Sequence, residues 1–455
     1  MRLFSLHLLI NRNLGLTKYY KLMKRMFLWL MAGIFITSVV QAQDTPVESS
    51  VKNLTFSIEQ AKAFALTHNK SMLKTGLALK QAEESRWEAI SNYLPQVNAS
   101  MSYNNFLGAE LELFGQKIPM ESSSTLTLQA VQPILNMNIL VGMQLAEIGK
   151  KMSQNAIQQT ELAIKQNVSM SYYSILVSEH SKSILEKNLA NVKVLAKAIR
   201  TKVNVGIGEP IEADQMDLTV ANLENTVQVI DMNIEMAYNS MRLLLGLGAN
   251  DDLKLTSSIS GLTDKTSTYD LLLKQFDLDN NIDKKTSDLM VEMSEEQLKS
   301  SKYSYLPTIN AVFQHNEKLL TSGFDMTMKN TFVLQANIPL FSSGKNSSNV
   351  KKAKLALQSS KLDNELAKDQ LLLQEKQLKF NLKSAQSGFE IQKKNIEVSQ
   401  RVFDNITKKY EQGLSSSLEV TTANNSLLTA QSNYISSVMT LLGAQDTLQK
   451  LLGIL

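Results

Sequence analysis

The sequence predicts a mainly α protein with a small β part, built as an internal duplication, on three observations. The stretch YLPQVNAS at Tyr93–Ser100 nearly recurs as YLPTINAV at Tyr305–Val312, 212 residues later in a chain of 455. Two segments, Lys150–Val205 and Lys345–Gln412, each exceed 50 residues, with Gly388 the one glycine or proline in either. Apolar residues in them step by seven, as at Leu185, Val192 and Ile199 and at Leu382, Phe389, Ile396 and Phe403. Such a step, held along helices of that length, implies antiparallel coiled-coil packing. A period near half the chain implies two structural repeats, about 57–247 and 262–453.

Residues 1–42 carry Arg2, Arg12, Lys18, Lys21, Lys24 and Arg25 and no acidic residue. The run KLMKRMFLWLMAGIFITSVVQAQ has a basic start, an apolar middle and a Val-x-Ala ending at Ala42, so a signal peptide cleaved before Gln43 is expected. The six basic residues leave 41 of 47 Lys and Arg against 43 acidic ones, so the basic pI belongs to the leader and no nucleic-acid partner is expected. The apolar run falls short of the ~20 residues of a spanning helix, and no later stretch is apolar enough. If the mature chain, 43–455, enters a membrane, it must do so as a β-barrel, the other structure that satisfies every backbone polar group there. The absence of cysteine excludes disulfides, thiolate metal sites and a thiol nucleophile.

Each repeat opens on a predicted helix, Ser57–Asn92 or about Tyr269–Tyr303, stopped by Pro95 or Pro307. Extended segments come after it: QVNASMSYNNF and SSTLTLQAVQ in the first repeat, TINAVFQHN and NTFVLQANI in the second. Their alternation predicts strands with two unlike faces, one β-hairpin per repeat. The glycine-containing stretches between them, LGAELELFGQK and LLTSGFDMTMK, read as loops. Long helices come next, about 60 residues and on the order of 90 Å each. They turn back at Val205–Pro210 and Gln412–Ser416, where VGIGEPIEA lies over QGLSSSLEV at an offset of 207. The returning helices step by seven through Val220, Val227, Ile234 and Met241 and through Leu427, Tyr434, Leu441 and Leu448, and both end in Leu-Leu-Gly.

One chain supplies four such strands, too few to close a barrel, since small barrels use about eight. Several copies must share one; three copies give twelve strands and twelve long helices, a transmembrane β-barrel continued by a helical barrel.

The doubled Y-L-P-x-[VI]-N-A, the QPIL and IPLFSSGK joins, the paired tip turns and the Leu-Leu-Gly ends together resemble the TolC-type outer-membrane efflux proteins, over nearly all of the mature chain. The resemblance implies a homotrimer in the cell outer membrane with a large periplasmic portion. It implies a passive exit duct for small molecules such as drugs, toxic compounds or metals, served by a periplasmic adaptor and an inner-membrane pump. The same family serves type I protein secretion, which stays open as an alternative. It further implies adaptor-docking tips at Gly206, Ile207, Gly413 and Leu414, and a periplasmic gate at Glu212, Glu419, Tyr410 and Ser415. Ser415 and Thr422 stand where a better-known member carries an arginine and a second acid.

Other readings are plainer. Glu212 and Glu419 also suit solvated helix starts, where the dipole favours acids. The SSGKNSS at Ser342–Ser348 lacks the leading glycine of a phosphate loop, because Pro339 occupies that position. The 20 methionines are scattered, and His68, His180 and His315 lie far apart, so no enzyme, metal site or cofactor is expected. A periplasmic coiled-coil tether without a pore explains the heptads but not the proline-bounded strands.

Overall fold

The structure is a computed structural model, and it describes residues 53–113, 115–262, 265–320 and 327–455. The expected signal peptide, and part of the stretch read as the second loop, lie outside these residues. The elements run β1 (Asn53–Phe56), α1 (Ile58–His68), α2 (Lys70–Ser91), β2 (Gln96–Asn104), β3 (Glu110–Leu113), β4 (Gln116–Pro119), β5 (Ser123–Leu135), α3 (Met137–Asn204) and α4 (Pro210–Leu245). They continue with β6 (Asp252–Leu255), α5 (Ile259–Leu262), α6 (Lys265–Leu273), α7 (Ile282–Tyr303), β7 (Thr308–Leu320), β8 (Asn330–Asn337), α8 (Lys345–Glu411) and α9 (Ser417–Leu451). Helices α3 and α8 contain 68 and 67 residues, which at 1.5 Å per residue is about 100 Å.

The opening helix of each repeat is broken where one helix was predicted. Asn69 has an extended backbone between α1 and α2, and its Oδ1 accepts from the N–H groups of Ser71 and Met72 at 2.8 and 3.4 Å. Its Nδ2 donates to the carbonyl of Leu244 at 2.7 Å. The second repeat copies the device: Asn281 caps α7 through Asp283 and Lys284, and its Nδ2 donates to the carbonyl of Leu451 at 3.2 Å. An asparagine that caps one helix while binding an otherwise unpaired carbonyl at the end of another ties the first helix of each repeat to its last.

Strands β2, β5, β7 and β8 form one antiparallel sheet in that order. The β2–β5 and β7–β8 pairs are the expected hairpins, and β5 runs on through Pro133 to Leu135. The first presumed loop is a correction, because it contains the small hairpin β3–β4, with Leu111 opposite Ile118 and Glu112 opposite Lys117. The alternation of Glu and Leu there is a strand pattern that its glycine and its length disguise as loop. Two four-residue strands, β1 and β6, pair in parallel and lie almost 200 residues apart, beyond the reach of local pattern.

The sheet has two unlike faces. Val97, Met101, Tyr103, Phe313, Phe332 and Leu334 fall on one face by register and are all exposed. On the other face Thr127 Oγ1 donates to Asn316 Oδ1 at 2.8 Å, and Gln314 Nε2 donates to the same oxygen at 3.0 Å. No helix among the described residues is long and apolar enough to cross a membrane.

Beneath the sheet, α2, α3, α7 and α8 pack side by side; lower down the order is α4, α3, α9, α8. The lower heptad residues Leu185, Val192, Ile199, Phe403 and Leu427 share one core, whereas Leu382, Phe389, Met241, Leu441 and Leu448 share another with β1, α1 and β6. Ile396 is only half-buried. A buried hydrogen bond from Asn188 Nδ2 to Asn424 Oδ1, 2.8 Å, fixes the register of α3 against α9, as a lone amide does in coiled coils.

Asp446 on α9 is 2 % exposed and accepts from Tyr173 Oη at 3.1 Å. Burial pushes its carboxyl up to about 6, against the attraction of Lys62 on α1. A carboxyl raised in the folded state stabilises most when protonated, so this contribution is present below the ordinary pKa of 3.8 and is lost as pH rises through 6. Asp446→Asn is therefore expected to flatten the fall in stability between pH 4.5 and 7.5. Relative to the variant, the wild type should lose about 2 kcal/mol of unfolding free energy over that range, measured by chemical denaturation, and parallel pH profiles would refute the assignment.

Candidate functional site

The lower ends of the two helical hairpins carry the residues singled out from sequence. Both turns are Schellman closures: Ile207 N–H donates to the carbonyl of Lys202 at 2.9 Å, and Leu414 N–H to that of Lys409 at 2.8 Å. Gly206 and Gly413 sit at the left-handed position, φ +80 and +76, with no atom within 4 Å of where a Cβ would stand. Glycine adopts that backbone without strain. The next residue in each turn is apolar and exposed, Ile207 at 81 % and Leu414 at 72 %. The tips thus offer bare backbone flanked by hydrocarbon.

The two acids are not equivalent. Glu419 belongs to a capping box: it accepts from the Ser416 N–H at 3.0 Å while its own N–H donates to Ser416 Oγ at 3.3 Å. Ser415 Oγ donates to the same carboxylate. These two hydrogen bonds, the Ser415 hydroxyl foremost, hold Glu419 below the usual carboxylate range, so its charge persists into mild acid. Ser415 thus anchors the acid within its own chain. Thr422 Oγ1 donates back to the carbonyl of Leu418 at 2.8 Å.

Glu212 starts α4 after Glu209, which makes no side-chain cap, and Pro210. It is half-buried and faces Tyr410 on α8: burial first, and the Glu212 charge second, push the tyrosine hydroxyl up. Lys202 Nζ lies 4.9 Å from the centroid of the Tyr410 ring, a cation–π distance. Tyr410 is 6 % exposed and packs with Val420, Ala423 and Leu427 of α9. The structure therefore sets Lys202 of α3 over the Tyr410 ring of α8, with the charge of Glu212 on α4 within electrostatic reach of that ring, and leaves Glu419 in a separate local cap. Lys202 was missed in the sequence, where the i−4 step to Gly206 marks a helix end but not a ring 208 residues away.

Ser343 and Gly344 form the left-handed join into α8, so the Ser-Ser-Gly-Lys run is a strand-to-helix turn. Among the described residues no three or more His, Asp and Glu converge as metal ligands would.

The sequence profile described as "Outer membrane efflux protein" matches residues 64–247 and 277–454. The chain belongs to that family. This efflux protein shares its fold with outer-membrane channels of known structure. It superposes on CusC with a TM-score of 0.72 at 16 % identity, covering 87 % of this chain and 91 % of that one. For the outer membrane protein VceC of Vibrio cholerae the values are 0.69, 16 %, 87 % and 96 %. For the open state of the MtrE outer membrane channel of Neisseria gonorrhoeae they are 0.70, 17 %, 87 % and 88 %. No curated protein sequence matches the chain. The efflux protein is thus an outer-membrane protein of the channel fold, with its exposed apolar strand face suited to lipid and its long helices in the periplasm.

Proposed function

We propose that this efflux protein is the passive outer-membrane exit duct of a tripartite system, a homotrimer that takes small molecules from an inner-membrane pump through a periplasmic adaptor. The observation that carries the reading is a pair of matching edges, unpaired among the described residues. The sheet ends in β2 on one side and β8 on the other, and open edges in a membrane are not tolerated. A second copy's β2 beside β8 would run antiparallel to it, so three copies close a twelve-stranded barrel.

The helices below repeat the complement. Helix α2 leads into β2 and exposes Leu73 and Leu77; α8 comes after β8 and exposes Leu362 and Leu366. Counted from the helix ends nearest the sheet, both pairs lie at roughly 20–30 Å depth. Two apolar stripes at one level on opposite edges are a seam between copies. The same reading assigns export to residues 1–42, two repeats to a duplicated ancestor, and adaptor contact to Gly206, Ile207, Gly413 and Leu414. The gate would be Tyr410 with Glu212 and Lys202, flanked by Glu419 and Ser415. The reading needs no catalytic group or cofactor.

Native mass spectrometry of protein extracted from outer membranes under mild detergent tests it. Three copies of the processed chain are expected; a reproducible monomer or dimer would overturn the shared barrel.

A further inference from the structure

One side of the α8–α9 hairpin carries a groove made of two successive hollows, about 830 Å³ near the middle of the helices and about 500 Å³ toward the tips, with no lining residue in common. The upper part is lined by groups such as Ser384, Gln392, Asn433, Ser436 and Thr440, with Phe380 among them. The lower part is lined by Val398, Val402, Leu418 and Thr422, and there Glu419 is the one charged residue of either lining.

The charges of α8 are elsewhere. Between Leu378 and Ile406 the helix carries eight charged residues, and at 100° per residue all eight fall within about 80° of Gln386. The groove residues of α8 centre about 200° away. Gln386 marks the side covered by α6, since Thr268 Oγ1 donates to its Oε1 at 3.1 Å. Gln445 on α9 donates to the same threonine at 2.8 Å, and the groove residues of α9 centre about 230° from Gln445, also turned away from α6. Helix α9 itself has no charged residue between Glu419 and the buried Asp446.

The strands repeat the pattern. Of β2, β5, β7 and β8, only β7 has charged residues, Glu317 and Lys318 at its far end. The face that carries Thr127, Gln129, Gln314 and Asn316 bears hydroxyls and amides, several bonded to one another, until Lys318, opposite Thr125, adds a charge at the far end of β7. The hydroxyls of α9 are similarly occupied: Thr422 and Thr440 donate to carbonyls four residues back at 2.8 Å each.

We infer that in the trimer the α8–α9 groove and the polar strand face line one conduit that is electrically neutral from the tips up to Lys318 at the far end of β7, so that charge selection on entry belongs to the carboxylates at the tips. The inference rests on the duct reading, which puts α6 outside the ring and the groove within. Solutes above the tip meet hydroxyl, amide and hydrocarbon groups, a lining that suits uncharged or weakly charged amphiphilic organic molecules. A lining without fixed charge concentrates neither cations nor anions, and back-bonded hydroxyls do not hold a passing solute tightly.

Because the chain contains no cysteine, single cysteines can be placed cleanly. Ser436→Cys and, on the opposite face, Lys393→Cys would be reconstituted as full-length trimers in planar bilayers. Each would be treated with a cationic or an anionic methanethiosulfonate, and modification checked by mass. At position 436 both reagents should lower the current by about a third or more, and their opposite charges should move the K⁺/Cl⁻ permeability ratio in opposite directions by about twofold. At position 393 modification should leave both unchanged. Glu212→Gln with Glu419→Gln should bring the ratio to within about twofold of one. A silent modification at Ser436, or a ratio still far from one in the double variant, would overturn the neutral conduit. Absence of conductance from every preparation would instead overturn the duct reading itself.

Discussion

Gly246→Ala is expected to cost this efflux protein about 3 kcal/mol or more of stability, while the same change at Gly453 costs about 1 kcal/mol. Both glycines end a Leu-Leu-Gly, and both have a left-handed backbone, φ +70 and +69. Alanine suffers the same strain at either. The surroundings differ. A Cβ at 246 would lie 2.3 Å from the backbone oxygen of His68 and 3.0 Å from its carbonyl carbon, whereas nothing stands within 4 Å at 453. Backbone cannot rotate away as a side chain can, so α1 and α4 must separate. That movement stretches the Asn69 hydrogen bond to Leu244 and opens a core that holds Ala65, Met241 and Leu245. Chemical denaturation of the two single variants checks this directly, and equal losses at the two positions would contradict the close approach.

Leu362→Glu combined with Leu366→Glu is expected to abolish the trimer without unfolding the protomer. In one chain both side chains are more than half exposed, 65 % and 56 %, so the substitutions reach no buried core of the protomer. In the proposed seam each would bury a carboxylate against Leu73 and Leu77 of the next copy, at a cost of several kcal/mol per group without a partner. Three seams multiply that cost. Native mass spectra should show monomer where wild type gives trimer, with the helical circular dichroism preserved. Lys361→Glu, one residue off the stripe, serves as control and should remain trimeric. A trimeric double variant would mean that the stripe faces something other than a second copy.

Much of the architecture was legible because its signals are local. Seven-residue steps, long runs without glycine or proline and a glycine at each turn specify helices and their ends through contacts between residues three, four or seven apart. The corrections arose where local signals were short or two-sided. Asn69 and Asn281 were capping residues in plain sight, yet inside apolar-periodic segments they read as ordinary helix. The β3–β4 hairpin was hidden by its length. At the tips, sequence found Glu212 and Glu419 together as one kind of residue; structure separates them, since Ser416 three residues before Glu419 completes a capping box and Glu209 before Glu212 does not.

By itself, then, the sequence determined the long helices, the positions of the turns and the segregation of charge to one side of α8, all consequences of short-range periodicity. Only the tertiary structure decided that β5 pairs with β7 across the repeats, that β1 lies beside β6, that Gly246 meets backbone where Gly453 meets none, and which side of α8–α9 is covered by α6. Those facts depend on pairs of segments from about 120 to almost 200 residues apart. Their free energy appears only after the loop between them has closed, and no local pattern records which distant surface will arrive.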